Sequence, residues 1–194
     1  MNASSFARLA LPRSWSFAIG GAVAIAAIVT FANLPRLHVY LKYWGAQSPR
    51  IHVPYESLSG DMDEKALRAA VPGVVLNCIA EDKARNGLGD RVCYSSLHAA
   101  DDAPALTVAF FFDSGRLAHS VVQVPWWTHH AAARSLVARL GMPEAIQDRP
   151  VRGSRLVQWR VAGGLVEFNR DPGWDPLGWS AVYWKAESRA QLRP

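Results

Sequence analysis

Polar and apolar positions follow three different patterns along this chain. Over Trp15–Leu34, WSFAIGGAVAIAAIVTFANL, nothing alternates: no residue from Ser14 to Pro35 is charged, and Arg13 and Arg36 flank the run. A helix needs roughly 20 apolar residues to cross ~30 Å of hydrocarbon. A core helix of a small domain would carry a polar face, and this segment has none. The pattern therefore predicts one transmembrane helix over residues 14–35 that contacts the lipid bilayer. Interface-type aromatics stand at both ends, Trp15 before it and Tyr40, Tyr43 and Trp44 after it. A cleaved signal peptide shares several of these parts: Arg8, Arg13, an apolar run and the small-x-small triplet Thr30-Phe31-Ala32. Against cleavage, the run exceeds the ~7–15 residues of an ordinary signal core. Residues 1–13 read as an N-terminal tail and 36–50 as a juxtamembrane linker, with Pro35 breaking the helix.

The second pattern, apolar positions three and four apart, predicts two short helices. Asp61 with Glu64 reads as a capping box; Met62, Ala66, Leu67 and Ala70 then share a face before Val71-Pro72-Gly73. Thr128 reads as the N-cap of a helix over His129–Leu140, whose stripe is Ala133, Leu136, Val137 and Leu140, with Gly141 at its end.

The third pattern, period two, predicts hairpins. Val74–Ile79 and Arg91–Leu97 flank a charged loop with an Asn86-Gly87 turn. Leu106–Val124 folds about Ser114-Gly115, pairing Phe112 with Leu117, Phe110 with His119 and Val108 with Val121. Leu156–Asn169 folds about Gly163-Gly164, pairing Trp159 with Phe168, Val161 with Val166 and Arg160 with Glu167. Glu144–Ser154 reads as a loop and Trp179–Lys185 as a last strand. Helices over one face of such a sheet would bury their stripes. The fold class is thus α+β: an N-terminal single transmembrane helix, then one small domain of antiparallel sheet with three hairpin-like units and about two helices, over residues 51–186, with a tail over 187–194. The helix ending Leu140-Gly141-Met142-Pro143 and the strand around Trp159 resemble small envelope domains of the β-lactamase-inhibitor-like type, a resemblance that implies no function here.

Composition sharpens this picture at two points. The net charge of +5 is confined near the apolar run. Setting aside Arg8, Arg13, Arg36 and Lys42 leaves 17 of the 21 basic residues against 16 acidic ones, which argues against a nucleic-acid surface. Arg outnumbers Lys and Ala is abundant, as in a GC-rich bacterial genome. The two cysteines, Cys78 and Cys93, have no zinc-type spacing. They fall on the two arms of the first hairpin, so a disulfide is expected if the domain lies outside the cytoplasm. The flanking positives nearly tie across the apolar run, and the signal-like order favours a C-terminal domain outside a bacterial inner membrane.

Candidate chemistry is sparse. His119, His129 and His130 could cluster if the hairpin end met the helix start, but adjacent histidines on a helix point about 100° apart and do not form an i, i+4 metal pair. No nucleophile motif, phosphate loop, metal site or cofactor signature is present. Trp126, Trp127, Trp174 and Trp179 lie at element ends, and Arg149 and Arg152 in a loop; these are the candidate binding residues, since exposed Trp suits a protein or glycan partner. The expected function is that of a membrane-anchored binding or accessory module acting on an envelope protein or cell-wall component. The alternative is an extracytoplasmic enzyme using His119 with His129 or His130.

Overall fold

The structure is a computed structural model that describes residues 13–45, 48–148, 155–172, 175 and 177–187. The chain divides into two units, Met1–Val39 and Tyr40–Pro194. Helix α1 spans Arg13–Ala32 and α2 spans Leu34–Gly45. Ile19, Val23, Ile25, Ile28, Val29 and Phe31 are all exposed, so α1 is apolar on every side. The break falls at Asn33, whose backbone and side-chain amides donate to the Val29 carbonyl and whose own carbonyl accepts from Leu37. Pro35 explains it: a continuous helix would need a proline N–H to reach Phe31, whereas in the first turn of α2 that missing donor costs nothing. Among the described residues no single helix is long and apolar enough to cross a membrane. Ile19–Ala32 with Leu34–Leu41, bent by 69°, passes by length and composition as a pair.

The compact unit continues through β1 (Arg50–Ile51), α3 (Glu64–Ala70), β2 (Asn77–Ala80), α4 (Lys83–Asn86), β3 (Arg91–Ser96), β4 (Ala99–Ala100) and β5 (Ala103–Pro104). Then come β6 (Thr107–Asp113), β7 (Arg116–Pro125), a 3-10 turn (Trp126–Thr128), α5 (His129–Leu140), β8 (Ala145–Asp148), β9 (Arg155–Val161), β10 (Gly164–Asn169) and β11 (Trp179–Ala186). Eight strands form one sheet in the order β2-β3-β6-β7-β11-β10-β9-β8, and every neighbouring pair is antiparallel. A small sheet, β1-β4-β5, contains one parallel pair. The molecule is α+β with a mostly antiparallel sheet and few helices. Its inner sheet face, bearing Phe110, Phe112, Val122, Phe168, Trp159 and Trp184, packs into one core with Leu67 of α3, Leu136 of α5 and the alanines of the small sheet.

Local chemistry explains several departures from the sequence reading. Asp63, not Asp61, caps α3, because its Oδ1 accepts the Ala66 N–H at 2.7 Å; the Asp61 carbonyl accepts from Arg116 instead. Thr128 precedes α5 but makes no side-chain cap, since its hydroxyl is engaged with the carbonyls of Pro104 and Pro125. The expected loop after Glu144 contains β8, one of the sheet's two edge strands. The charged loop between β2 and β3 carries α4, which ends at Gly87 with φ +67°.

Two registers differ. The β6–β7 hairpin closes as expected at Phe112–Leu117, but Ala118 is a bulge, so His119 pairs with Phe111 and Val122 with Val108. Leu117 and Ala118 are both buried, and the extra residue turns His119 away from the inner face. In the β9–β10 hairpin the turn is Ala162-Gly163, so Trp159 pairs with Val166 and Arg160 with Leu165. A shift of two preserves which face each side chain occupies but dissolves the expected Arg160–Glu167 pair. Arg160 lies 3.7 Å from Glu144, and Glu167 bonds Lys185 at 2.5 Å. The aromatic stretch expected in the 36–50 linker is helical, and its Tyr40 and Tyr43 are buried in the compact unit.

Candidate functional site

The histidines separate. His129 opens α5 beneath the inner sheet face and is fully buried. Its Nε2 donates to the Arg170 carbonyl at 3.2 Å, because a carbonyl can only accept; its Nδ1 then accepts from the Ser180 hydroxyl at 2.7 Å. The ring stacks on Phe168 at 4.6 Å and meets His130 edge-on at 5.4 Å. Burial pushes its pKa below the usual imidazole value, and the neighbouring His130 pushes the same way. His119 lies on the outer sheet face opposite Lys185. Ser180 and Lys185 are five residues apart on β11, about 16 Å along a strand, and face opposite ways. The structure therefore does not bring His119 to His129, and both ring nitrogens of His129 are already engaged.

The outer sheet face is one candidate surface. Tyr94, Ala109, Val121 and Tyr183 occupy one row across β3, β6, β7 and β11, with Phe111, His119 and Lys185 in the next. Tyr94 and Tyr183 are exposed and stand three strands apart, about 14 Å. Trp179 is exposed on the same face at the start of β11. Gln158 and Lys185 both bond Glu167, giving this face a paired charge beside its aromatics. Among the described residues no core cluster forms on this side of the sheet.

A second aromatic group gathers where α2 meets the 3-10 turn. Tyr40 is buried and donates its hydroxyl to the Gly178 carbonyl at 2.7 Å. Tyr43 donates to the His98 carbonyl at 2.9 Å and stacks on the His98 ring. Trp127 packs on Tyr40 at 4.8 Å and on Trp44 at 6.0 Å between ring centroids. Trp44 is 67 % and Trp127 45 % exposed, so this stack is formed but uncovered. Trp126 is half-buried, its backbone N–H held by the Gly178 carbonyl. Trp174, Arg149 and Arg152 lie outside the described residues. The sequence reading missed the partnership of Trp44 and Tyr40 with Trp127, although the spacing of Tyr40, Tyr43 and Trp44 is that of one helix face. It also missed Tyr94 and Tyr183.

Two polar clusters complete the survey. Cys78 and Cys93, directly opposite in the β2–β3 ladder, form a disulfide. Glu64 lies close to both sulfurs, but a disulfide offers no thiolate to a metal, and Arg68 and Arg91 pair with that carboxylate. Hydrogen bonding from Arg68, supported by Arg91, holds Glu64 below the usual carboxylate range. Asp101 sits in the tight β4–β5 turn, where Asp101 and Asp102 adopt φ +50° and +65°, as a two-residue primed turn requires. Its carboxylate takes the Val53 N–H, the His52 ring and the Arg139 guanidinium at 2.6 Å. Burial raises its pKa, while Arg139, the Val53 N–H and His52 oppose the shift. This network fastens the small sheet to α5 and is structural. No family model, no curated protein and no solved structure matches this chain.

Proposed function

We propose that this chain is a membrane-anchored module of a bacterial inner membrane. Its compact unit stands outside the cytoplasm and binds an envelope protein or a cell-wall component. The observation that carries the binding role is the outer sheet face, where Trp179, Tyr183 and Tyr94 are exposed and the half-buried Phe111 pairs with His119 beside the largely buried Lys185–Glu167 pair. Exposed aromatic side chains beside a paired charge are the composition of a recognition surface. The Cys78–Cys93 disulfide supports the compartment, since such bonds persist in oxidising surroundings. The bent apolar pair Ile19–Ala32 and Leu34–Leu41 supports the anchor.

The test is photo-crosslinking in native membranes. A benzophenone amino acid replaces Tyr183, and in a control it replaces Val75, which is exposed but lies outside the sheet face. The reading expects a discrete adduct from position 183 that Tyr94→Ala weakens severalfold, with none from position 75. Equal labelling from both positions, or none from 183, overturns it.

A further inference from the structure

The stack at the end of α2 is not explained by recognition on the sheet face. Leu41 and Trp44, three residues apart on α2, share a helix face and are 63 % and 67 % exposed. Trp127 extends this apolar surface from α2 onto the 3-10 turn through its contact with Trp44. The Trp127 ring packs in turn on Tyr40, itself tied to the Gly178 carbonyl. Leu41, Trp44 and Trp127 thus present exposed apolar surface together, an arrangement that is costly in water.

Its position in the chain says what covers it. Leu41 follows the apolar α1 by nine residues, Ala32 to Leu41, and the intervening chain is helical apart from Asn33. At 1.5 Å per residue that is about 14 Å of chain, less than half the ~30 Å thickness of a hydrocarbon core. Any membrane that holds α1 therefore lies within reach of Leu41 and Trp44. Tryptophan, with an apolar body and one N–H donor, partitions to the headgroup level. Arg50 is exposed and close enough to Tyr43 to act on its hydroxyl, which sets a cation beside the aromatic group.

We infer that Leu41, Trp44 and Trp127 form a lipid-docking surface that seats the compact unit on the headgroup region of the same bilayer that holds the anchor. The inference rests on the anchoring reading above and gives the module a fixed attitude: the α2 end against lipid, the sheet face free for its partner. An anionic headgroup strengthens the contact through Arg50.

The test uses the full chain with Trp15→Phe, which removes the tryptophan of the apolar run, reconstituted in phosphatidylcholine–phosphatidylglycerol vesicles. Vesicles whose acyl chains are brominated near the headgroups quench tryptophans seated at that depth. The expected results are quenching of the Trp15→Phe protein and loss of at least half of it on adding Trp44→Phe and Trp127→Phe. Adding Trp179→Phe instead leaves it unchanged. Protein that floats with the vesicles yet emits equally with and without bromine overturns the docking surface while leaving the anchor standing. Quenching lost with Trp179→Phe but kept with the other pair also overturns it. Protein that stays behind when the vesicles float overturns the anchoring reading and the docking surface together.

Discussion

Two side chains show how burial converts polar chemistry into stability. His129 is enclosed with a carbonyl on one nitrogen and a hydroxyl on the other, at the N-terminal end of α5, where the helix dipole also disfavours a cation. Its folded pKa is lowered, so between that value and the unfolded value near 6.5 the unfolded chain binds more protons. Stability from this group is complete above about pH 6.5 and declines as the pH falls below it, with a limiting slope of ~1.4 kcal/mol per pH unit. Denaturant midpoints measured from pH 7.5 to pH 5 are expected to fall more steeply for the natural chain than for His129→Gln. Parallel curves would mean that the ring titrates alike in the folded and unfolded chain, contrary to its burial. Arg139 presents the opposite case. Its guanidinium serves Asp101, Glu56 and the Val53 carbonyl, with the Tyr55 ring 5.7 Å away. Arg139→Ala leaves the largely buried Asp101 without its cation, and the expected loss is about 3 kcal/mol by urea denaturation. Adding Asp101→Asn is expected to recover part of that loss, because the stranded charge is then gone.

At the level of elements, the hairpins show what a periodic pattern can and cannot determine. Alternation placed β2, β3, β6, β7, β9, β10 and β11 but not the short β1, β4, β5 and β8, and it separated the two faces correctly in β9 and β10. It could not choose between registers two residues apart, which leave every face unchanged. The choice between Gly163-Gly164 and Ala162-Gly163 as the turn was made by contacts far away in sequence. A Cβ on Gly163 would lie 1.8 Å from the Leu58 carbonyl oxygen, and one on Gly164 would lie 2.0 Å from the Lys185 oxygen. Gly163→Ala is accordingly expected to destabilise by at least ~2 kcal/mol in chemical denaturation, since backbone stands where the methyl would go. Gly115, in a turn with φ +76° and open space around it, is constrained by its backbone alone. The bulge at Ala118 was illegible for a related reason. Nothing in alternation announces one extra residue, yet that residue decides that Ser120 and Val122 face inward and His119 outward. The conditional histidine cluster does not form: the insertion turns His119 outward, and Lys185 opposite it stands about 16 Å along β11 from Ser180, the partner of His129. Of the tryptophans singled out in the sequence, Trp127 and Trp179 are exposed and Trp126 is half-buried. The packing of Trp44 on Trp127 was not legible because Trp44, with Tyr40 and Tyr43, was assigned to the membrane interface and not to a helix of the compact unit.

For the whole molecule, the open question of orientation turns on the first hairpin. The flanking positives nearly tie across the apolar run, so charge alone gives no firm direction. Under the proposed anchoring, the redox state of Cys78 and Cys93 in cells would report the direction, because it depends on which side of the membrane holds the compact unit. Cys93 is fully buried and Cys78 half-buried, both in strands already paired in register. The sulfurs meet without any rearrangement of the fold, so oxidation is governed by the compartment's redox poise and not by access to a rare conformation. A unit outside the cytoplasm should carry the bond in essentially every copy, and a cytoplasmic one should carry free thiols. Cells lysed in acid and labelled with a maleimide polymer distinguish the two. The expected outcome is no mass shift until reductant is added, then two labels per chain. Labelling without reductant would place the compact unit inside and remove the envelope partner from consideration. The bond also has a mechanical consequence. It closes a loop of 15 residues at the sheet's edge strand, where β2 has a partner on one side only. Chain-entropy arguments assign such a loop about 3 kcal/mol. Reduction, or Cys78→Ser with Cys93→Ser, is therefore expected to lower the urea midpoint by that equivalent. Protection of β2 amides in hydrogen exchange should be lost first, while β7 and β11 at the sheet's centre keep theirs.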